Sequence, residues 1–114
     1  MWESCIFAAT KKLDHLCVII DDNNSAGAMV DLNNMAARFS SFGFDVFEVD
    51  GHDPEILEET FRKARVLENN RPKVVIAHTI RGFGSPTLTD HDIWFHKAPN
   101  QNELELLSKE VDEF

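Results

Sequence analysis

The sequence predicts an α/β fold: a three-layer α/β/α arrangement in which helices cover both faces of a parallel sheet. Two observations carry that prediction. Stretches with apolar residues at helical spacing alternate with short runs rich in Val and Ile, the pattern of parallel strands joined through helices. The clearest run, Cys17-Val18-Ile19-Ile20, halts in Asp21-Asp22-Asn23-Asn24. Buried parallel strands read as continuous Val, Ile and Leu, and in open α/β sheets ligands sit beyond the strands' carboxyl ends.

The elements follow in three helix-then-strand cycles. Trp2 to Leu13 places Ile6, Ala9 and Leu13 at helical spacing, and Leu16 to Ile20 is the strand after it. Leu32 to Phe42 sets Leu32, Met35, Ala36, Phe39 and Phe42 on one face, with Gly43 as the residue just past the helix end. Asp45 to Val49 is the second strand. Asp53-Pro54 opens the third helix, Asp53 as N-cap and Pro54 at the first helical position. Ile56, Leu57, Phe61, Ala64 and Leu67 form its expected buried stripe, and Asn69 to Pro72 stop it. Lys73 to His78 is the third strand. A loop from Arg81 to about Asn100 is long enough to expect function in it, and an amphipathic helix over about Glu103 to Val111 closes the chain.

With 114 residues, the chain is one domain or part of one. An apolar content of 43% supports a core and excludes wholesale disorder. Eleven basic against twenty acidic residues, net −9, argue against nucleic acid or an anionic membrane as partner. The acids gather from Asp53 to Glu59 and from Glu103 to Glu113, as on solvated helix faces. Cys5 and Cys17 have no metal-binding spacing, and no signal peptide precedes them, so both read as reduced core thiols. No apolar run approaches the ~20 residues of a membrane span, which leaves the cytoplasm as the expected location.

Two stretches carry candidate chemistry. The oxygen donors of Asp21 to Asn24 suit a hard cation such as Mg²⁺ held against a diphosphate, although these residues alone read more simply as a polar turn that ends a strand. The long loop also holds His91 and His96, whose imidazoles can exchange a proton near neutral pH; a surface loop histidine is the plain alternative. His52, at a strand-to-helix turn, reads as structural, and so do His15 and His78. Gly82 and Gly84 read as backbone bends, since their spacing is not that of a phosphate-cradling glycine motif.

Trp2-Glu3, Asp21-Asp22-Asn23-Asn24, Val49-Asp50-Gly51-His52-Asp53, Thr79-Ile80-Arg81-Gly82-Phe83-Gly84 and His96-Lys97-Ala98-Pro99-Asn100 occur in that order. Together they resemble the N-terminal, diphosphate-binding domain of transketolase over almost the whole chain. The resemblance implies a thiamine diphosphate-binding fold, and thiamine diphosphate with Mg²⁺ (or Ca²⁺) as cofactors. It implies that Asn23 holds the metal through its side chain and Ser25 through its backbone carbonyl. It places Glu3 in a network of carboxylates at a dimer interface. It places His96 over the cofactor's reactive carbon, binding and deprotonating the sugar. It further implies sugar-phosphate substrates and transfer of a two-carbon ketol unit. The partner it implies is a pyrimidine-binding transketolase domain or subunit, in a homo- or hetero-oligomer.

The sequence departs from the family pattern in three places. The Gly-Asp-Gly that supplies the family's other metal ligand does not occur in these residues, so the fold is expected to be incomplete, truncated before Met1, and the chain inactive alone. Residues 1–114 then form the C-terminal portion of the domain. Some members carry the histidine where this chain has Phe95. Ala26 to Val30 is shorter and plainer than the family's segment, which leaves the sugar open, an unusual one included. Rival readings are a non-catalytic α/β interaction fragment, or part of a deoxyxylulose-phosphate synthase or a dehydrogenase E1 component; Gly82-Phe83-Gly84 and His96-Lys97-Ala98-Pro99 favour transketolase.

Overall fold

A strand of five consecutive buried residues organises the sheet. The computed structural model describes residues 1–25, 34–89, 94 and 96–114. In chain order the elements are α1 (Trp2–Thr10), β1 (Cys17–Asp22), α2 (Met35–Ser41), β2 (Asp45–Asp50), α3 (Pro54–Val66), β3 (Lys73–His78) and α4 (Gln101–Asp112). They fall into two units, Met1–Thr79 and Ile80–Phe114.

In the first unit the strands are parallel in the order β1-β3-β2. Lys73 to Ala77 of β3 are buried because a strand lies on each side and helices lie above and below. The chain moves from β1 across to β2 and then back to β3. Right-handed crossovers in opposite directions put α2 and α3 on opposite faces of the sheet. Val74 and Ile76 of β3 pack with Cys5, Ala8, Phe39 and Phe44, and Trp2, Val18, Ile20 and Val46 complete that core. The ring centroid of Phe39 lies 5.6 Å from that of Trp2 and 5.4 Å from that of Phe44. The three-layer expectation holds, on a small sheet.

The helix ends follow local rules. Asp53 caps α3 by accepting from the backbone N–H groups of Glu55 and Ile56, both at 3.0 Å. After α2, Phe44 N–H donates to Phe39 O and Gly43 N–H to Ser40 O, a Schellman closure with Gly43 at φ +93°. Arg71 then donates to the carbonyls of Gly43 and Phe44 at 3.0 and 3.1 Å.

Several expectations change. β1 runs through Asp22, so the acidic pair is strand, not turn; both acids are in register with β3, Asp21 opposite Ala77 and Asp22 opposite His78. α1 stops at Thr10, short of the expected Leu13, and its buried residues are Cys5 and Ala8, while Ile6 and Leu13 are exposed. On α3, Thr60 and Ala64 are buried while Ile56, Phe61 and Leu67 are exposed. The sheet covers only a narrow strip of α3, and the small residues Thr60 and Ala64 fill it. Cys17 is exposed, not a core thiol: it shares with Ile19 the face of the edge strand opposite the core of Val18 and Ile20. The expected start of α2 at Leu32, and the Ala26 to Val30 segment, lie outside the described residues.

In the second unit, Asn100 caps α4 in a reciprocal capping box with Glu103. That cap starts the helix two residues earlier than the sequence periodicity indicates. No helix of the described residues is long and apolar enough to cross a membrane.

Candidate functional site

The carboxyl ends of all three strands converge on Thr79. Pairing continues one step beyond the sheet: Thr79 N–H donates to Asp22 O at 3.1 Å, and Gly51 N–H donates to His78 O at 2.8 Å. The Thr79 hydroxyl donates to Asp21 Oδ1. Gly51 makes room for this residue, since a Cβ there would collide with Thr79 Cγ2.

Asn23 follows directly. Its Oδ1 accepts the backbone N–H of Ser25 at 3.0 Å, and its Nδ2 donates to Asp21 Oδ2 at 3.4 Å. The carboxamide therefore has a defined sense, oxygen toward Ser25 and nitrogen toward Asp21. Oδ1 keeps a second lone pair, and the Ser25 carbonyl is a further neutral oxygen close by in the chain. Neutral oxygens of this kind fit a hard cation such as Mg²⁺. Among the described residues, no group of three or more His, Cys, Asp or Glu is placed to hold a metal ion.

His78, read from the sequence as structural, has two acidic neighbours. Its Nδ1 is 3.0 Å from Asp22 Oδ2 and its Nε2 is 3.3 Å from Glu48 Oε1, because strand pairing brings both acids to the same face. His52, read as part of a turn, donates its backbone N–H to Asp50 Oδ1 at 2.8 Å. Glu3 stands in the first turn of α1, highly exposed, with Oε2 3.6 Å from the amino group of Met1. Its own backbone N–H and that ammonium hold its carboxyl below the usual range.

The second unit is held by Glu110. Its carboxylate accepts from the Ser85 hydroxyl, from Thr87 Oγ1 at 2.6 Å and from Thr87 N–H at 3.2 Å, which lowers its pKa. Gly82, at φ +73°, bends the loop so tightly that a Cβ would meet the Leu88 carbonyl carbon at 2.5 Å. Phe83 packs edge-on against Phe114 at 5.2 Å. His96 is exposed, between Trp94 and Lys97. Lys97 sits 4.6 Å from the centre of the Trp94 ring and is ion-paired with Glu103. His91 and Phe95 lie outside the described residues. Asn23 and Ser25 are thus joined by a hydrogen bond in the first unit, Glu3 lies on another element of that unit, and His96 belongs to the second.

The transketolase thiamine diphosphate binding domain matches residues 1–111. The chain belongs to this family. It is 33% identical over 115 residues to an apulose-4-phosphate transketolase subunit of Actinobacillus succinogenes, covering 96% of this chain and 41% of that protein. With the equally named protein of Phocaeicola vulgatus, identity is 30% over 118 residues, covering 99% and 42%. The crystal structure of transketolase from Campylobacter jejuni superposes with a TM-score of 0.80 at 26% identity, covering 97% of this chain and 18% of that one. The chain spans about two fifths of the length of the Actinobacillus and Phocaeicola proteins.

Membership in the transketolase family gives the ends of β1, β2 and β3 their interest. Thr79 and Gly51 stand inside two of the family-like motifs, yet nothing in the sequence marks them as site residues. The signal available is position: each directly follows a strand of one parallel sheet, where ligands of such sheets bind.

Proposed function

We propose that the chain is the C-terminal portion of a transketolase-type diphosphate-binding domain and works within an enzyme that transfers a two-carbon ketol unit between sugar phosphates. The observation that carries this is the Asn23 carboxamide, held at both ends at the carboxyl end of β1 in a chain of this family. Asn23 Oδ1 and the Ser25 carbonyl would hold Mg²⁺ (or Ca²⁺) against the diphosphate. When bound, thiamine diphosphate supplies the carbon centre at which the ketol unit is cleaved and carried.

The remaining work falls to side chains. His96 binds the sugar and moves its hydroxyl proton, a task suited to an imidazole, which has one nitrogen to accept a proton and another to donate one. Glu3 contributes a carboxylate to the interface with the pyrimidine-binding partner. Paired carboxylates across such an interface share protons and couple their ionisation. Two relatives are named as transketolase subunits, which supports a partner carried on a separate chain. We place the assembly in the cytoplasm as a homo- or hetero-oligomer.

The 114 residues contain no Gly-Asp-Gly and so offer no anionic partner to Asn23 in that motif. The isolated chain is therefore expected to be inactive. The test compares two preparations with Mg²⁺, thiamine diphosphate and a ketose/aldose phosphate pair: the 114-residue chain, and the complete domain with its pyrimidine-binding partner. Turnover in the second alone supports the reading. Turnover by the isolated chain, or by neither, overturns it.

A further inference from the structure

We infer that Thr79 is a positioning residue for the carboxamide of Asn23, acting through Asp21; this rests on the reading of Asn23 as a cation ligand. An asparagine is useful to a cation in one sense only, because the flipped amide presents an NH₂ group instead of an oxygen. Its terminal torsion is broad, so neighbouring hydrogen bonds must choose the sense. Here Asp21 makes the choice by accepting from Nδ2, while Ser25 N–H donates to Oδ1.

The Asn23–Asp21 bond, at 3.4 Å, is long, and Asp21 is exposed. A solvent-facing carboxylate swings unless something fixes it. Thr79 does so, with its hydroxyl on Oδ1, which turns Oδ2 toward Asn23. Thr79 is itself anchored by its N–H on Asp22 O at 3.1 Å. Its methyl group occupies the space that Gly51 leaves, where a Cβ would collide with it. The chain of constraint therefore crosses the ends of all three strands, from Gly51 after β2, through Thr79 after β3, to Asp21 and Asn23.

Asp21 must be a carboxylate for this to work. It accepts two donors on two separate oxygens, and an asparagine in its place has one oxygen to offer. Partners of this kind, one bond removed from a metal, shift metal affinity by about 10–100-fold when removed.

The test uses the complete enzyme with its partner, and Mn²⁺ as the probe, with Mn²⁺ affinity measured by electron paramagnetic resonance in the presence of thiamine diphosphate. Thr79→Val, which keeps the shape and loses the hydroxyl, and Asp21→Asn are each expected to weaken Mn²⁺ binding about 10-fold or more. Their melting temperatures should stay near the parent's, and Thr79→Ser should retain affinity. In an Asn23→Ala background, Thr79→Val should add nothing, because its target is gone. Three results overturn the inference: normal affinity in Thr79→Val where Asn23→Ala is weak, additive losses in the double variant, or a loss in Thr79→Val that only follows a fall in melting temperature. Normal Mn²⁺ affinity in Asn23→Ala would instead remove the reading of Asn23 as a ligand, and the inference with it.

Discussion

Lys73 Nζ lies 2.6 Å from Oδ1 of Asp14 and 2.7 Å from the same residue's carbonyl oxygen. Lys73 opens β3 and is almost fully buried, so the turn before β1 is tied to the central strand by a charged group with little access to water. Asp14 also accepts the backbone N–H of Asn70 at 3.1 Å. The Lys73 ammonium first, then that N–H, holds the Asp14 carboxyl below its usual value.

A pH dependence with a definite sign follows. A depressed carboxylate pKa stabilises the fold fully above the unfolded value of about 3.9 and loses that contribution as pH falls through the folded value. Asp14→Asn should therefore lower the urea midpoint most near neutral pH. The difference from the parent should shrink as the pH is taken down through the acid range. A constant difference from neutral pH to strong acid would show that the ion pair is not its source.

Phe39 is among the largest fully buried side chains of the first unit, with its ring against those of Trp2 and Phe44. Phe39→Ala is expected to cost about 3–5 kcal/mol in a chemical denaturation, since both the transfer energy and a cavity are at stake. Phe7→Ala, on an exposed position of α1, should cost far less.

Gly51→Ala should destabilise by about 1–3 kcal/mol, because the added methyl meets Thr79 Cγ2. Combining it with Thr79→Ser, which removes that atom, should recover part of the loss. Equal cost in both backgrounds would place the strain elsewhere, on His78 O or Ala77 Cβ, the next nearest atoms.

Ile6, Phe7, Leu16 and Ile19 are all exposed in the first unit, at 53%, 59%, 38% and 60%. β1 is also an edge strand, with one side of its backbone unpaired in the sheet. The 114-residue chain should therefore bind a hydrophobic dye and sediment as a concentration-dependent oligomer. Replacing Phe7 and Ile19 with lysine should reduce both signals.

The order of elements and the bounds of β3 are legible in the sequence because period and composition agree there: Lys73 to His78 is bounded as expected. Burial within the helices is less legible. Spacing identifies which residues share a face but not how wide a strip the sheet covers, and so it puts Ile56 and Phe61 inside with Ala64, although the buried residues are Thr60 and Ala64. The sequence offers the candidate site as a location, the end of β1, and as candidate residues through the family resemblance. The bonds that orient Asn23 are not legible there, since Thr79 lies 58 residues beyond Asp21 and meets it only through strand pairing. His78 is hidden for the same reason: its partners, Asp22 and Glu48, come from two other strands.

In the complete enzyme, Asn23 and His96 should fail in different ways. On the proposed reading, Asn23→Ala removes an oxygen that would hold the cation against the diphosphate. Its cost should fall on cofactor affinity and be partly restored by excess Mg²⁺ and thiamine diphosphate. His96→Ala leaves that oxygen in place and, on the same reading, would remove a proton-transfer and substrate-orienting group. Its cost should fall on turnover, by roughly 10²–10⁴-fold, with cofactor affinity nearly unchanged. Its neighbours sharpen the test, because Lys97, between the Trp94 ring and Glu103, ties the segment after His96 to the start of α4. Loss of that tether in Glu103→Gln should weaken turnover less than His96→Ala does. Cofactor titrations and steady-state rates on the three variants decide the matter: full activity of His96→Ala at saturating cofactor would show that the proton is moved by another group.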